Sequence, residues 1–512
     1  MKDDLTSSVT IFVTTAVCVV ALIQRKQRRT QNSYHTQHPS NGSSLSQPWL
    51  SKQDVLQLRT KHFLKSVSVS YANTGGLMIL KGNGSRLYDE RGTSYLDTRN
   101  NVCHVGHCNP RVVDAVSRQL AELNTNTRYL HPTVIRLAQR LADKCPDPLQ
   151  VVVFVNSGSE ANDLALRLAR AYTKSKNTIV VEGAYHGHTL AVLEVSPYKY
   201  QHSKEFDLQL QEEETTKGPV TTPGPHIWQV PCPDMYRQRH NTGKEYANHV
   251  QDGCDYFQRK GESTGAIIME GGMSVGGVIL PSDDFVRDSV TAVRNHGGVY
   301  IADEVQTGFG RLGSSFWAFQ HGNHGIVPDI VTVGKPFGNG MSLGAVVTTP
   351  EIAKAFDSMG VEYFNTFGGN PVAAAAGMAM FDVLEDEKLQ EHALQIGGYL
   401  KKRFWEIQTE RLHQDLIGDI RGSGLFLGID IVESSTLRTP AAAKTSFICS
   451  RLKQQYNILT SIDGLYDNVL VIKPPMVFSK EDADFFVESF SKVALELEEL
   501  GATVETMEWT PT

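Results

Sequence analysis

Short, β-branched apolar runs recur through the middle of this chain, and helical patterns or loops separate them. Residues 150–155, 178–182, 265–270, 299–303 and 329–334 are too short for buried helices and read as buried strands. Between them, 111–123 carries Val112, Val113, Val116, Leu120 and Leu123 at helical spacing behind Pro110, and 160–175 continues the same period. Strands that alternate with helices require a mostly parallel sheet covered on both faces. An α/β architecture is therefore expected. Residues 85–89 and 94–97 flank the turn ERGT (90–93) as a hairpin. Helices are expected at 372–384 and from 388 to about 406. Strands and helices alternate again at 428–432, 444–455, 469–472 and 480–500, as a smaller α/β domain.

A chain of 512 residues has ample core for two or three domains, or for one large domain with a smaller partner. Its formal charge of −7 argues against a nucleic-acid partner. The seven cysteines (18, 103, 108, 145, 232, 254, 449) are scattered with no CxxC pair, which argues against a disulfide scaffold or a metal site and for a reducing compartment. The polar run QEEETTKGPVTTPGP (211–225) reads as a surface excursion.

The N-terminus has a different character. Residues 5–24 carry no charge, and Arg25, Lys26, Arg28 and Arg29 follow at once, a candidate membrane span with its C-terminal end held in the cytosol. From 5 to 53 there is no Asp or Glu while Ser, Thr and Arg are frequent, which also fits an organellar transit peptide. The expected division is 1–29 anchor or targeting segment, 30–53 flexible linker, 54–110 N-terminal part of a small domain, 111–370 large domain, and 371–512 connecting helices with the C-terminal small domain. The expected location is the mitochondrion, in the matrix or membrane-anchored; the alternative is the endoplasmic reticulum or another membrane, facing the cytosol.

Four motifs carry chemistry. NSGSEAND (156–163) places a Ser-Gly-Ser turn between a strand and a helix, where free N–H groups and the helix dipole favour a phosphate; the plainer reading is an ordinary helix cap. YIADEVQTGFGR (300–311) delivers Asp303 and Glu304 at a strand's C-terminal end, where open α/β sheets place ligands. A carboxylate there can be a metal ligand, a general base or an ion-pair partner. DIVTVGKPFGNG (329–340) ends a buried strand at Lys335, which is set to lose hydration and become an amine nucleophile unless it snorkels to the surface. YFNTFGGNP (363–371) holds Thr366 among glycines and aromatics and says little alone.

A lysine for a Schiff base, an aspartate for a pyridinium nitrogen and a phosphate cradle are together what pyridoxal 5′-phosphate requires. From about residue 54 to its end, the chain resembles the class-III pyridoxal-phosphate aminotransferases. The resemblance rests on NNVCHVGHCNP, NSGSEANDLALRLAR, AYHGHT, PCPDMYR, IADEVQTGFGR, PDIVTVGKPFGNG, EYFNTFGGNP, IGDIRGSGLFLGID and VLVIKPPM, in that order. Within the family it is similar to the alanine–glyoxylate aminotransferase 2-like phospho-lyases, the ethanolamine-phosphate and phosphohydroxylysine phospho-lyases.

The resemblance implies the fold type I of pyridoxal-phosphate enzymes: a large domain with a mostly parallel seven-stranded sheet, a small α/β domain, and a homodimer with shared active sites. It implies Lys335 as the Schiff-base lysine, Asp303 on the pyridine nitrogen and Gln306 on the ring's phenolic oxygen. Gly158 and Ser159 fall in the phosphate cup, and Tyr185 stacks on the ring with His186 beside it. Glu270 lies near the lysine, and Thr366 reaches the phosphate from the neighbouring subunit. The implied reaction on a small-molecule amine is phosphate and ammonia release from phosphoethanolamine or phosphohydroxylysine; the alternative is transamination of the alanine–glyoxylate type. An anchored pseudoenzyme is hard to reconcile with keeping Lys335, Asp303, Gln306 and the cup together. One departure stands out. Amino-acid aminotransferases of this family place an arginine for the substrate carboxylate where this chain has Val471, and the phospho-lyases tend to have lysine there. Lys473 is expected to face away from that position, and Arg421 to stabilise the fold.

Overall fold

The computed structural model describes residues 50–201, 223–322, 325–409 and 415–500. The candidate span at 5–24, the linker before residue 50 and most of the polar run 211–225 lie outside them. Among the described residues no helix is long and apolar enough to cross a membrane. Two compact units are distinguished, Met1–Val67 and Ser68–Thr512. In the first, the helix Lys52–His62 begins at a reciprocal cap between Ser51 and Asp54 and buries none of its residues.

The second unit is built on a seven-stranded sheet. Its order from edge to edge is Val151–Val155, Gly344–Thr348, Ile330–Val333, Val299–Asp303, Ala266–Glu270, Thr178–Val181 and Ile227–Val230. Gly344–Thr348 is antiparallel to both neighbours, while the remaining pairings are parallel. Successive side chains on a strand leave opposite faces. Ile268, Ile301 and Ile330 accordingly enter one core with Leu164, Ala165 and Leu168 of the helix Gly158–Thr173. Ile267, Met269, Ala302 and Val331 enter another with Ala373, Ala376 and Met380 of the helix Pro371–Asp386. Burial on both faces is why these strands are apolar throughout.

Two strands of this seven-stranded sheet were not anticipated from sequence. Ile227–Val230 is a half-exposed edge strand interrupted by Gln229, and Gly344–Thr348 starts at a glycine close behind the glycine-rich loop after Lys335. The hairpin Arg86–Asp89 with Ser94–Asp97 forms as expected. Ile458–Leu459, from the C-terminal part of the chain, then pairs parallel with Ser94–Asp97. The ion pair Arg86–Asp482 at 2.6 Å and the Tyr71 hydroxyl donating to the Thr460 carbonyl at 3.1 Å hold the same two parts together. A further sheet contains Ile417–Ser423, Phe426–Ser434, Val469–Ile472 and Ser461–Asp463. Arg421 there donates to the Gly277 carbonyl and pairs with Asp419 and Asp430, the stabilising role expected of it.

Candidate active site

Parallel register sets the site. Glu270 stands opposite Asp303, and Asp303 opposite Thr332, so the C-terminal ends of three strands present their chemistry in one row. Gly334 then turns the chain to Lys335; a Cβ at Gly334 would lie 3.0 Å from the Gly158 nitrogen, so only glycine lets these loops meet. Lys335 is half-buried and lines a cavity. That burial, with the charge of Lys473, brings its pKa down to about 8 against the pull of Asp303, Glu270 and Asp463. Nζ lies 5.9 Å from the Tyr185 ring centroid.

Asp303 is the centre of a buried network. His186 Nδ1 lies 2.7 Å from Oδ2, Asn162 Nδ2 donates to the same oxygen at 2.8 Å, and the Val305 N–H donates to Oδ1 at 3.0 Å. Thr332 in turn orients Asn162, its hydroxyl donating to Oδ1 at 2.6 Å. Glu270 accepts from the Tyr185 and Ser274 N–H groups, and burial pushes its carboxyl up to about 7. Glu304 faces the other way and caps the backbone at Ala318 and Phe319, a structural carboxylate. Gln306 is buried, its Oε1 fixed by Asn101 Nδ2 at 2.6 Å.

Lys335, Gln306 and Val102 line two adjoining cavities. The first, about 300 Å³, also includes Ser157, Gly158, Ser159, Tyr185, His186 and Asp303. It ends at the start of the helix Gly158–Thr173, where Ser157 accepts from the Glu160 N–H. A Cβ at Gly158 would meet Val305 at 2.7 Å, and one at Gly187 would meet the Ser159 hydroxyl at 2.4 Å, so both glycines are needed for the backbone to close around this space. His186 Nε2 is buried without a partner among the described residues. Pyridoxal phosphate fits this donor set. The helix start suits its phosphate, Asp303 its ring nitrogen, Tyr185 a ring face and Lys335 its aldehyde.

Of the residues singled out from sequence, Gly158, Ser159, Tyr185, His186, Asp303, Gln306 and Lys335 all line this cavity, and Glu270 lies directly behind it. Thr366 does not. It is exposed, beside Asn365, which donates to Glu160 and accepts from Asn156.

The second cavity, about 530 Å³, is lined by Ser70, Tyr71, Arg99, Asn101, Ser461, Asp463 and Lys473 among others. Here the structure corrects one expectation. Val471 is sealed in an apolar cluster with Val469 and Phe426, and Lys473 faces the cavity rather than away from it. The strand stops at Ile472, so Lys473 is free of its alternation. Its Nζ donates to the Ser274 hydroxyl at 2.8 Å and lies 3.5 Å from Asp463 Oδ2. Burial pushes the Asp463 carboxyl up, opposed by Lys473.

Asn162, Asn101, Arg99 and Asp463 escaped the sequence reading. Asn162 and Asn101 lie inside motifs that were recognised, and one helical turn from Gly158 was a usable signal for Asn162. Nothing in the local sequence around Arg99 or Asp463 marks them.

The sequence model of the family described as aminotransferase class-III matches residues 67–494. A Drosophila melanogaster protein named alanine–glyoxylate aminotransferase 2-like is 45% identical over 451 residues, covering 86% of this chain and 87% of its own. A Caenorhabditis elegans protein named ethanolamine-phosphate phospho-lyase homolog 1 is 40% identical over 446 residues, covering 84% and 91%. A solved phospholyase from Arthrobacter in complex with phosphoethanolamine matches with a TM-score of 0.77 at 36% identity, over 87% of this chain and all of its own.

Proposed function

This chain belongs to the class-III aminotransferase family of pyridoxal-phosphate enzymes, and we propose that its own reaction releases phosphate and ammonia from a phosphorylated amine, phosphoethanolamine or phosphohydroxylysine. The observation that carries this reading is the lining of the 530 Å³ cavity. Position 471, where a carboxylate-binding arginine would stand, is a valine closed into the core, and among the described residues the cations that line the cavity are Lys335, Lys473 and Arg99, while its carboxylates are Asp97, paired with His107, and Asp463, beside Lys473. Cations and hydroxyls on several sides of one space suit a phosphate dianion. The names of two relatives point the same way.

When bound, pyridoxal phosphate supplies an electron sink for the carbon that bears the substrate's amine. Lys335, with its pKa near 8, is poised to remove that carbon's proton. Asp303 is fixed by three donors so that a carboxylate oxygen stands ready for the ring nitrogen's proton, and Asn101 fixes Gln306 for the ring oxygen. The test is stoichiometric. Phosphate and ammonia appear in equal amounts from a phosphorylated amine with no keto acid present. Turnover that requires glyoxylate or pyruvate as amino acceptor would establish transamination instead.

A second copy of the chain is proposed to complete the site. Leu130 is 97% exposed, Tyr129 69% and Phe367 59%, an apolar surface continuous with the Thr366 loop through Thr127–Asn365 and Arg128–Glu362 contacts. If Thr366 serves the partner's site, mixing an inactive Lys335→Ala protein with an inactive Thr366→Asp protein, after subunit exchange, restores about a quarter of wild-type turnover, since half the dimers are mixed and each has one intact site. No recovery despite verified exchange would place Thr366 outside the partner's site.

A further inference from the structure

Elimination of phosphate from carbon raises a proton problem that Lys335 alone does not obviously solve. The oxygen that leaves carbon is strongly basic until it is protonated, so an acid within reach of that oxygen, besides the base Lys335, eases its departure. Lys473 is buried in the lining of the larger cavity and can be that acid. It lines the larger cavity with Lys335 but is absent from the lining of the smaller one. Its backbone is pinned, with its own N–H donating to the Thr98 carbonyl at 2.8 Å and the following Pro474 carbonyl accepting from buried Arg311 at 2.9 Å. An ammonium has three N–H groups. One goes to Ser274 and a second faces Asp463, which leaves the third for the cavity. Ser274 also donates its N–H to Glu270, so this lysine is tied to the carboxylate behind the cofactor space.

We propose that Lys473 is the proton donor to the departing phosphate oxygen, held for that task by Ser274 and Asp463. The proposal rests on the lyase reading above. Lys335 takes the proton from the amine-bearing carbon, and the electron pair left there becomes the new C=C bond. The C–O bond breaks with its pair on oxygen. That oxygen takes the Lys473 proton, and phosphate departs as hydrogen phosphate. Water then hydrolyses the enamine to an aldehyde and ammonia. Lys335 has gained one proton and Lys473 has lost one, so exchange with solvent resets both.

The experiment compares wild-type and Lys473→Ala holoenzyme on 2-aminoethyl phosphate. The expected loss of kcat is about 100-fold or more, while calorimetric affinity for 2-aminoethylphosphonate, which cannot eliminate, stays within about tenfold. Trimethylammonium, which carries an N–H and cannot condense with an aldehyde, restores kcat at least about tenfold; tetramethylammonium, which has the charge and no N–H, does not. Equal rescue by both cations, or rescue by neither with phosphonate binding intact, would show that Lys473 supplies charge or structure only. A loss accounted for entirely by weaker phosphonate binding would overturn the assignment too. If the wild type releases phosphate from no phosphorylated amine, the lyase reading itself fails, and that is seen before any variant is compared.

Discussion

Lys335→Ala lowers turnover by roughly 10⁴-fold or more, since in the proposed mechanism it removes both the covalent attachment point and the base at the substrate carbon. Borohydride treatment, which fixes pyridoxal phosphate to the wild-type protein, fixes none to the variant; a covalent adduct at any other lysine would sink the assignment. A second, less obvious consequence follows for the cofactor-free protein. Burial and Lys473 depress the Lys335 pKa from the usual 10.5 to about 8, so the folded state is penalised for holding it protonated. Below pH 8 the lysine is charged in both states and the penalty is complete. Between pH 8 and 10.5 the unfolded chain binds more protons than the folded one, so stability rises with pH, and above 10.5 the penalty is gone. The shift corresponds to on the order of 3 kcal/mol. Apo Lys335→Met is therefore more stable than apo wild type at pH 7, and the gap closes as the pH approaches 10.5. Denaturant titrations of the two apo proteins at several pH values read it directly. A gap that is constant with pH would mean that methionine packing, not the lysine's charge, is responsible.

The part of the site legible in the sequence was the part carried by strand ends. A parallel sheet places its chemistry where strands stop, so an apolar run that halts at Asp303 or just before Lys335 announces both the strand and the residue, whereas Glu270, Gln306, Tyr185 and His186 came only from the family resemblance. The glycine turn at Gly158 is legible for the same reason, because the helix must begin there. Strands half exposed at an edge, such as Ile227–Val230, lose the continuous apolar signal and with it their visibility. The substrate side was illegible for a different cause. Arg99 follows one small sheet, Asp463 ends a short strand of another, and Lys473 lies just past a third strand. Only tertiary packing brings them to one cavity. Placing Lys473 on the face opposite Val471 misapplied strand alternation, since residues two apart share a face; the strand also ends at Ile472, so Lys473 follows neither rule and enters the cavity.

Asp303→Ala tests how much of the fold the site supports. From sequence the substitution reads as a loss of electron control with the fold intact. The structure gives Asp303 a second duty. It is 2% exposed and accepts from Asn162 and the Val305 N–H, with His186 Nδ1 at 2.7 Å. Alanine leaves those polar groups buried without their acceptor, at a cost of roughly 2–4 kcal/mol. Turnover falls by at least about 100-fold, because in the proposed mechanism nothing then holds the proton on the ring nitrogen. Asp303→Glu keeps the charge but adds a methylene to a packed strand end, so it retains more stability than activity. The two effects separate in one pair of measurements, a denaturant midpoint and a kcat for each variant. If alanine left the midpoint unchanged, the His186–Asn162–Val305 network would be contributing nothing to the fold, and the loss of activity would be electronic alone. If both quantities fall together and Asn162→Ala reproduces most of the stability loss with a smaller loss of kcat, Asn162 is the residue that fixes the carboxylate in place. The expected order of stability is then wild type, Asp303→Glu, Asn162→Ala, Asp303→Ala, since Asn162→Ala removes one donor and spares the charge, while Asp303→Ala orphans the three polar groups around it.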